Sequence, residues 1–464
     1  MAIPEHNDAK AQSISPVDGT LIETFDDHSP SEVERRLSAA QGGFDAWRRR
    51  SVEERADVVA ALGAFLERHR DRLAAHITAE MGKTIKEATA EIDKCAATCR
   101  WYAEHGPAML RDRVAPVDQG RAMVAQRPIG VILGVMPWNF PFWQVLRAAI
   151  PIILSGNGYV LKHARNVMRC AFELEVAWTE SGLPSGVFTV VNVDQGMTAK
   201  ILADARIAAV TLTGSARAGA AVASLAGANL KKSVLELGGS DPFVVLEGAD
   251  LKKAAAAGAK ARFQNAGQVC IAAKRFIVEA SIADAFTEHL IDATRALNVG
   301  DPTVSSTDLG PMARRDLRTE LQGQIERSIA AGARPLLGGH EVEGAGNFHE
   351  PTILAGVLPG MAAFDEETFG PCAAITEARD TDHAIALANL SSYGLSASLW
   401  TEDSSTGAAF ADRFECGGVF LNGFPTSDPR IPIGGVKQSG YGRELSHYGI
   451  TEFVNAQTVW RDRP

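Results

Sequence analysis

Val131-Ile132-Leu133-Gly134-Val135 is a five-residue apolar run closed by Met136-Pro137. It is too short for a buried helix, and it has the branched side chains of a strand covered on both faces. It is the first of a series: Tyr159–Lys162, Val187–Val191, Ala208–Leu212, Phe243–Leu246 and Phe276–Glu279 follow, each separated from the next by a stretch with helical patterning. Short apolar strands alternating with helices make parallel sheets with crossover helices, so the expected fold class is α/β. Gly238-Gly239 interrupts the series and is the expected hinge between two such units.

Upstream the character is helical. Val33, Leu37, Ala40, Phe44 and Trp47 recur at helical spacing, with Ser31 as the expected N-cap. Further helices are expected over Ala56 to His69 and Lys86 to Tyr102. Residues 1–30 read as an extended lead-in with a turn at Ser15-Pro16-Val17-Asp18-Gly19.

Composition narrows the function classes. With 464 residues, two or three domains and a large core are expected. The formal charge of -10 opposes nucleic acid as a partner, because neutralising phosphates needs a basic surface. Six cysteines without close pairing point to a reducing, cytoplasmic setting. Met1 to Lys10 is polar and lacks the apolar core of a secretory signal, and no apolar run is long enough to span a bilayer. There is no H-E-x-x-H, no Walker loop and no G-x-S-x-G elbow. No metal site is expected.

Three segments carry chemistry. Cys270 lies in Phe263-Gln264-Asn265-Ala266-Gly267-Gln268-Val269-Cys270, whose small polar flank suits an accessible thiol better than a packed strand. Asn139, in Pro137-Trp138-Asn139-Phe140-Pro141, is an amide held by rigid neighbours and suits an oxyanion donor. Glu236 ends an apolar strand before Gly238-Gly239, where partial desolvation suits proton abstraction. Taken singly, each also reads as an ordinary core cysteine, turn asparagine or strand-end carboxylate. Thr213-Gly214-Ser215 joins a strand to a helix start and can present backbone N–H groups to a phosphate, although G-x-G-x-x-G is absent.

In order along the chain, these segments resemble the NAD(P)-dependent aldehyde dehydrogenase superfamily. The likeness takes in Pro137 to Pro141, Lys162, Thr213 to Ser215, Glu236 to Gly239, Gly267-Gln268-x-Cys270, Glu366-Glu367-x-Phe369-Gly370-Pro371 and Gly434-Gly435-x-Lys437-x-Ser439-Gly440. Within the superfamily the chain looks closest to bacterial succinate-semialdehyde dehydrogenases. The resemblance implies a Rossmann-like cofactor domain (residues 1–110 and 129–237), an α/β catalytic domain (238–433), and a small β-flap for oligomerisation with the C-terminal tail (111–128 and 434–464). It implies Cys270 as nucleophile, Asn139 as oxyanion donor and Glu236 as base. NAD or NADP would be held by Trp138, Lys162, Arg165, Thr213, Gly214, Ser215, Leu237, Glu367 and Phe369. Glu444 resembles a carboxylate that assists proton transfer from behind.

Arg165 stands where many NAD-preferring members carry glutamate, which opens the site to a 2′-phosphate. For a semialdehyde acid, the resemblance places Arg147 and Ser427 at the substrate carboxylate. A second arginine of that pocket is Gln264 here, which loses charge and keeps a donor. The expected substrate is succinate semialdehyde. Glutarate semialdehyde, an aromatic aldehyde lodged against Trp143 and Phe424, and cofactor-independent cysteine esterase chemistry are the alternatives. A homodimer or homotetramer is the expected assembly.

Overall fold

A computed structural model describes residues 10–402 and 404–462. The polar stretch from Met1 lies outside the described residues except for Lys10. The lead-in is a hairpin: Lys10–Ile14 pairs antiparallel with Leu21–Asp26 across the Ser15–Gly19 turn. Four helices follow, Pro30–Trp47, Val52–Arg68, Arg70–Met81 and Ile85–Met109. The first is capped by Ser29, whose side chain accepts from Glu32 N, and not by the expected Ser31. Pro30 explains the shift, because proline fits the first helical position, where its missing N–H leaves nothing unbonded.

All six apolar runs form strands, divided between two sheets. The first sheet has the order Gly440–Tyr441, Lys232–Glu236, Ile207–Thr213, Val131–Met136, Gly158–His163, Phe188–Val190. Its strands are parallel except for the short first one. The chain runs outward from Val131–Met136 to Phe188–Val190, then returns to the other side for Ile207–Thr213. The strand order therefore reverses beside Val131–Met136, and ligands in open parallel sheets bind at the carboxyl ends of strands at such a point.

The second sheet has the order Arg334–Leu337, Thr352–Ala355, Cys372–Ala378, Ala273–Glu279, Asp241–Val245, Ala397–Trp400, Val419–Leu421. Gly238-Gly239 links the carboxyl end of Lys232–Glu236 to the start of Asp241–Val245. The carboxyl edge of the first sheet therefore faces the amino edge of the second, where the Cys270 loop precedes Ala273–Glu279. Separate apolar cores back the two sheets, with Leu133, Val160 and Val210 in one and Val244, Ile277 and Leu399 in another. This leaves the seam between them for polar groups.

A third sheet, Val454–Arg461, Arg121–Pro128 and Arg113–Ala115, is antiparallel throughout. Of the 434–464 stretch grouped with it from sequence, Val454–Arg461 joins this sheet. Gly440–Tyr441 instead pairs with Glu236 and Leu235, which ties the tail to the first sheet beside the site. Among the described residues no helix is long and apolar enough to cross a membrane.

Candidate active site

The turns at the carboxyl edge of the first sheet wall a cleft of about 790 Å³. Pro137, Trp138 and Asn139 continue from Val131–Met136, Gly214 and Ser215 from Ile207–Thr213, and Leu237 and Gly238 from Lys232–Glu236. Glu367 and Phe369 close it from the second sheet's side, and Cys270 also lines it. The Trp138 and Phe369 rings meet edge to face at 5.8 Å. Ser215 caps the helix Ala216–Ala228 by accepting from Ala218 N at 3.3 Å, so that helix opens its N-terminus toward the cleft. Glu367 accepts from Gly239 N at 3.1 Å, and a Cβ added at Gly238 would lie 2.2 Å from its carboxylate. The bare glycine turn thus admits that carboxylate.

A helix N-terminus for a pyrophosphate, a carboxylate for ribose hydroxyls and aromatic walls suit a dinucleotide, so these residues fit NAD(P). Lys162 ends Gly158–His163 at the same sheet edge, in register with Val135. Burial, then Arg165, lowers its pKa to about 8. Arg165 follows in the next turn and donates to Asp27 at 3.0 Å. A carboxylate already meets the cation that the sequence offered to a 2′-phosphate.

The loop that carries Cys270 is held under strain. Asn265 and Ala266 lie at φ 53° and 52°, left-handed values unusual for residues with a Cβ, and Gly267 follows at 72°. Hydrogen bonds fix this shape. Glu87 accepts from Asn265 N at 3.0 Å, Gln268 Nε2 donates to Asn265 O at 3.0 Å, and Arg262 donates to Gly267 O at 2.9 Å. Asn265 Nδ2 donates to Asn139 O at 2.9 Å, and Asn139 Nδ2 to Gln268 O at 3.0 Å. The Asn139 amide and the Cys270 loop are thus one bonded unit. Buried Lys274 donates to Cys270 O at 2.7 Å and pairs with Glu367 at 3.4 Å. Burial pushes the Cys270 thiol up to about 11, against the pull of Arg147 and Lys274.

Glu236 is 3% exposed, and its Oε1 has no hydrogen-bond partner among the described residues. Burial, then Glu444, raises its pKa to about 8. Behind it Arg147 donates to Glu444, and both are buried. Thr211 adds a hydroxyl to Glu444 at 3.4 Å.

A second cavity, of about 770 Å³, reaches Cys270 from the opposite side. Arg147, Gln264 and Ser427 all line it. They are not equivalent. Arg147 is committed to Glu444, Gln264 is exposed, and Ser427 accepts from Lys94 at 2.6 Å. Trp143 also lines this cavity, while Phe424 packs against the second sheet's core and under Lys260.

Sequence reading missed the contribution of the helix Ile85–Met109. Glu87, Glu91 and Lys94 project from one face of it at spacings of four and three. Glu91 accepts from Phe142 N and Trp143 N at 2.9 Å, capping the helix Trp143–Leu154, and pairs with buried Lys83. Charged residues interrupting an otherwise buried helical face were the available signal. Lys274 was also missed, having only its place four residues past Cys270 to mark it.

Residues 3–459 match the aldehyde dehydrogenase family. The chain is 52% identical to succinate semialdehyde dehydrogenase [NAD(P)+] Sad of Escherichia coli (strain K12), covering 98% of each chain. It is 46% identical to a probable succinate-semialdehyde dehydrogenase [NADP(+)] of Synechocystis sp. (strain ATCC 27184 / PCC 6803 / Kazusa), covering 97% of this chain and 99% of that protein. The solved structure of succinic semialdehyde dehydrogenase from Streptococcus pyogenes with NADP+ superposes with a TM-score of 0.95 at 36% identity, covering 98% of this chain and 100% of that one. The chain belongs to the aldehyde dehydrogenase family and has its fold.

Proposed function

We propose that the protein oxidises succinate semialdehyde to succinate with NAD or NADP. The observation that carries this reading is the meeting of two cavities at Cys270, one walled by strand-end turns and the other placing Lys94, Arg147 and Ser427 among acidic and apolar side chains. The names of its relatives support the same substrate.

In this reading the first sheet is the cofactor-binding unit (1–110 and 129–237), and 238–433 is the catalytic unit. Cys270 attacks the aldehyde carbon. Its thiol, raised to about 11 by burial, reacts as the thiolate that Arg147 and Lys274 favour, and the proton passes to solvent. The oxygen that becomes anionic is held by the Asn139 amide and the Cys270 N–H. Trp138, Lys162, Thr213, Gly214, Ser215, Leu237, Glu367 and Phe369 would hold NAD(P), which when bound would supply the hydride acceptor for that carbon. The acyl group then rests on Cys270 as a thioester. Glu236 takes a proton from water, the hydroxide attacks the thioester, and succinate leaves with the sulfur restored. Behind Glu236, Glu444 raises its basicity against the opposing pull of Arg147.

The reading includes a cytoplasmic enzyme, supported by six unpaired cysteines. It also includes a homodimer or homotetramer joined through the third sheet, where Val114 is 85% and Trp460 42% exposed. Light scattering after size exclusion measures the assembly. The activity is tested by reduced-nicotinamide absorbance with succinate semialdehyde and butanal. A kcat/KM preference for the semialdehyde of roughly tenfold or more is expected from one charge-assisted contact. Equal efficiency on both overturns the substrate.

A further inference from the structure

Building on the semialdehyde reading, the geometry points to Lys94 as the residue that recognises the substrate carboxylate, in place of the arginine absent at position 264. A four-carbon aldehyde acid attacked at Cys270 must put its anionic end elsewhere in the same cavity. Three basic or donor side chains were available from the sequence, and two are poorly placed for that role. Arg147 is 2% exposed and already neutralised by Glu444, so it offers a distant anion little uncompensated charge. Gln264 is exposed at the cavity wall and carries no charge.

Lys94 differs on each count. It lines the same cavity as Cys270 and makes no ion pair among the described residues. Its ammonium donates to Ser427 at 2.6 Å and lies 4.2 Å from the centre of the Trp143 ring. Ser427 and the Trp143 face therefore hold it in place at the cavity wall, and an ammonium keeps two further N–H donors beyond the one given to Ser427. Burial, then Arg147, lowers its pKa to about 8, while Glu91 and Asp428 favour its charged form. Glu91 is engaged with Lys83 and the N-terminus of Trp143–Leu154, and Asp428 with Arg430. A carboxylate arriving between Lys94 and Ser427 would complete an ion pair that the protein leaves open.

The test compares kcat/KM for succinate semialdehyde with that for butanal, an uncharged aldehyde of the same chain length. Lys94→Met keeps a long side chain on Trp143 and removes the charge. It is expected to reduce the ratio by roughly 10- to 100-fold, mainly through the semialdehyde KM, and Lys94→Arg to recover most of it. Inhibition of butanal oxidation by succinate should weaken by a similar factor in Lys94→Met. Thermal melting confirms that each variant is folded. A wild-type ratio near one overturns the semialdehyde reading, and this assignment with it. A wild-type preference that Lys94→Met leaves intact, with succinate inhibition unchanged, overturns the Lys94 assignment alone.

Discussion

The two cavities that meet at Cys270 are built by different means. The dinucleotide side is made of backbone: turns leaving adjacent parallel strands, a capped helix N-terminus, and a glycine bare enough to admit Glu367. The aldehyde side is made of side chains from distant elements, Lys94 from the helix Ile85–Met109, Arg147 from Trp143–Leu154 and Ser427 from a loop near the C-terminus. A wall made of main chain changes little with side-chain substitution and suits one unvarying ligand. A wall made of long side chains can change its charge by a single replacement, as Gln264 illustrates, and is where substrate choice can shift.

Removing the buried carboxylate Glu236 should have the largest effect. Glu236→Gln is expected to lower kcat by roughly 10²- to 10⁴-fold, with a burst of one reduced nicotinamide per active site as the thioester accumulates. Wild-type turnover should rise as pH increases toward about 8, because the raised pKa leaves Glu236 mostly protonated, and inactive as a base, below that value. The rise should vanish in the glutamine variant. A pH–rate profile of the two proteins measures both effects.

Breaking the ion pair beneath the junction comes next. Arg147→Ala leaves Glu444 buried and unpaired, and is expected to cost about 3–5 kcal/mol of folding stability by urea titration. Arg147 acting only as a substrate contact predicts no such loss. The smallest change separates the two walls. Gly238→Ala places a Cβ against Glu367 and should raise the cofactor KM by roughly tenfold through a local clash, with little change in the semialdehyde KM.

The same contrast explains what could be read from the chain. Strand ends and glycine turns are local signals, so Asn139, Gly214-Ser215, Glu236 and the strand series were legible before any coordinates. The six apolar runs lie in two sheets, and their order is set by long-range pairing that periodicity does not encode. The aldehyde wall was only partly legible. Arg147 was found, but its partner Glu444 lies 297 residues away, so its commitment to an ion pair was invisible. Lys94 looked like one more polar position on a helix, and its contact with Ser427 spans 333 residues. The left-handed run at Asn265 and Ala266 was hidden for another reason. Neither residue is glycine, and bonds from Glu87, Gln268 and Asn139 impose that shape.

The central claim is that Cys270 takes a semialdehyde from one cavity and gives up its hydride into the other. Intact-mass and peptide mapping of Glu236→Gln after mixing tests this directly. The account predicts one succinyl group on the peptide carrying Cys270, formed only when succinate semialdehyde and NAD(P) are both present. No acyl adduct, an adduct on another residue, or one formed without nicotinamide would contradict it.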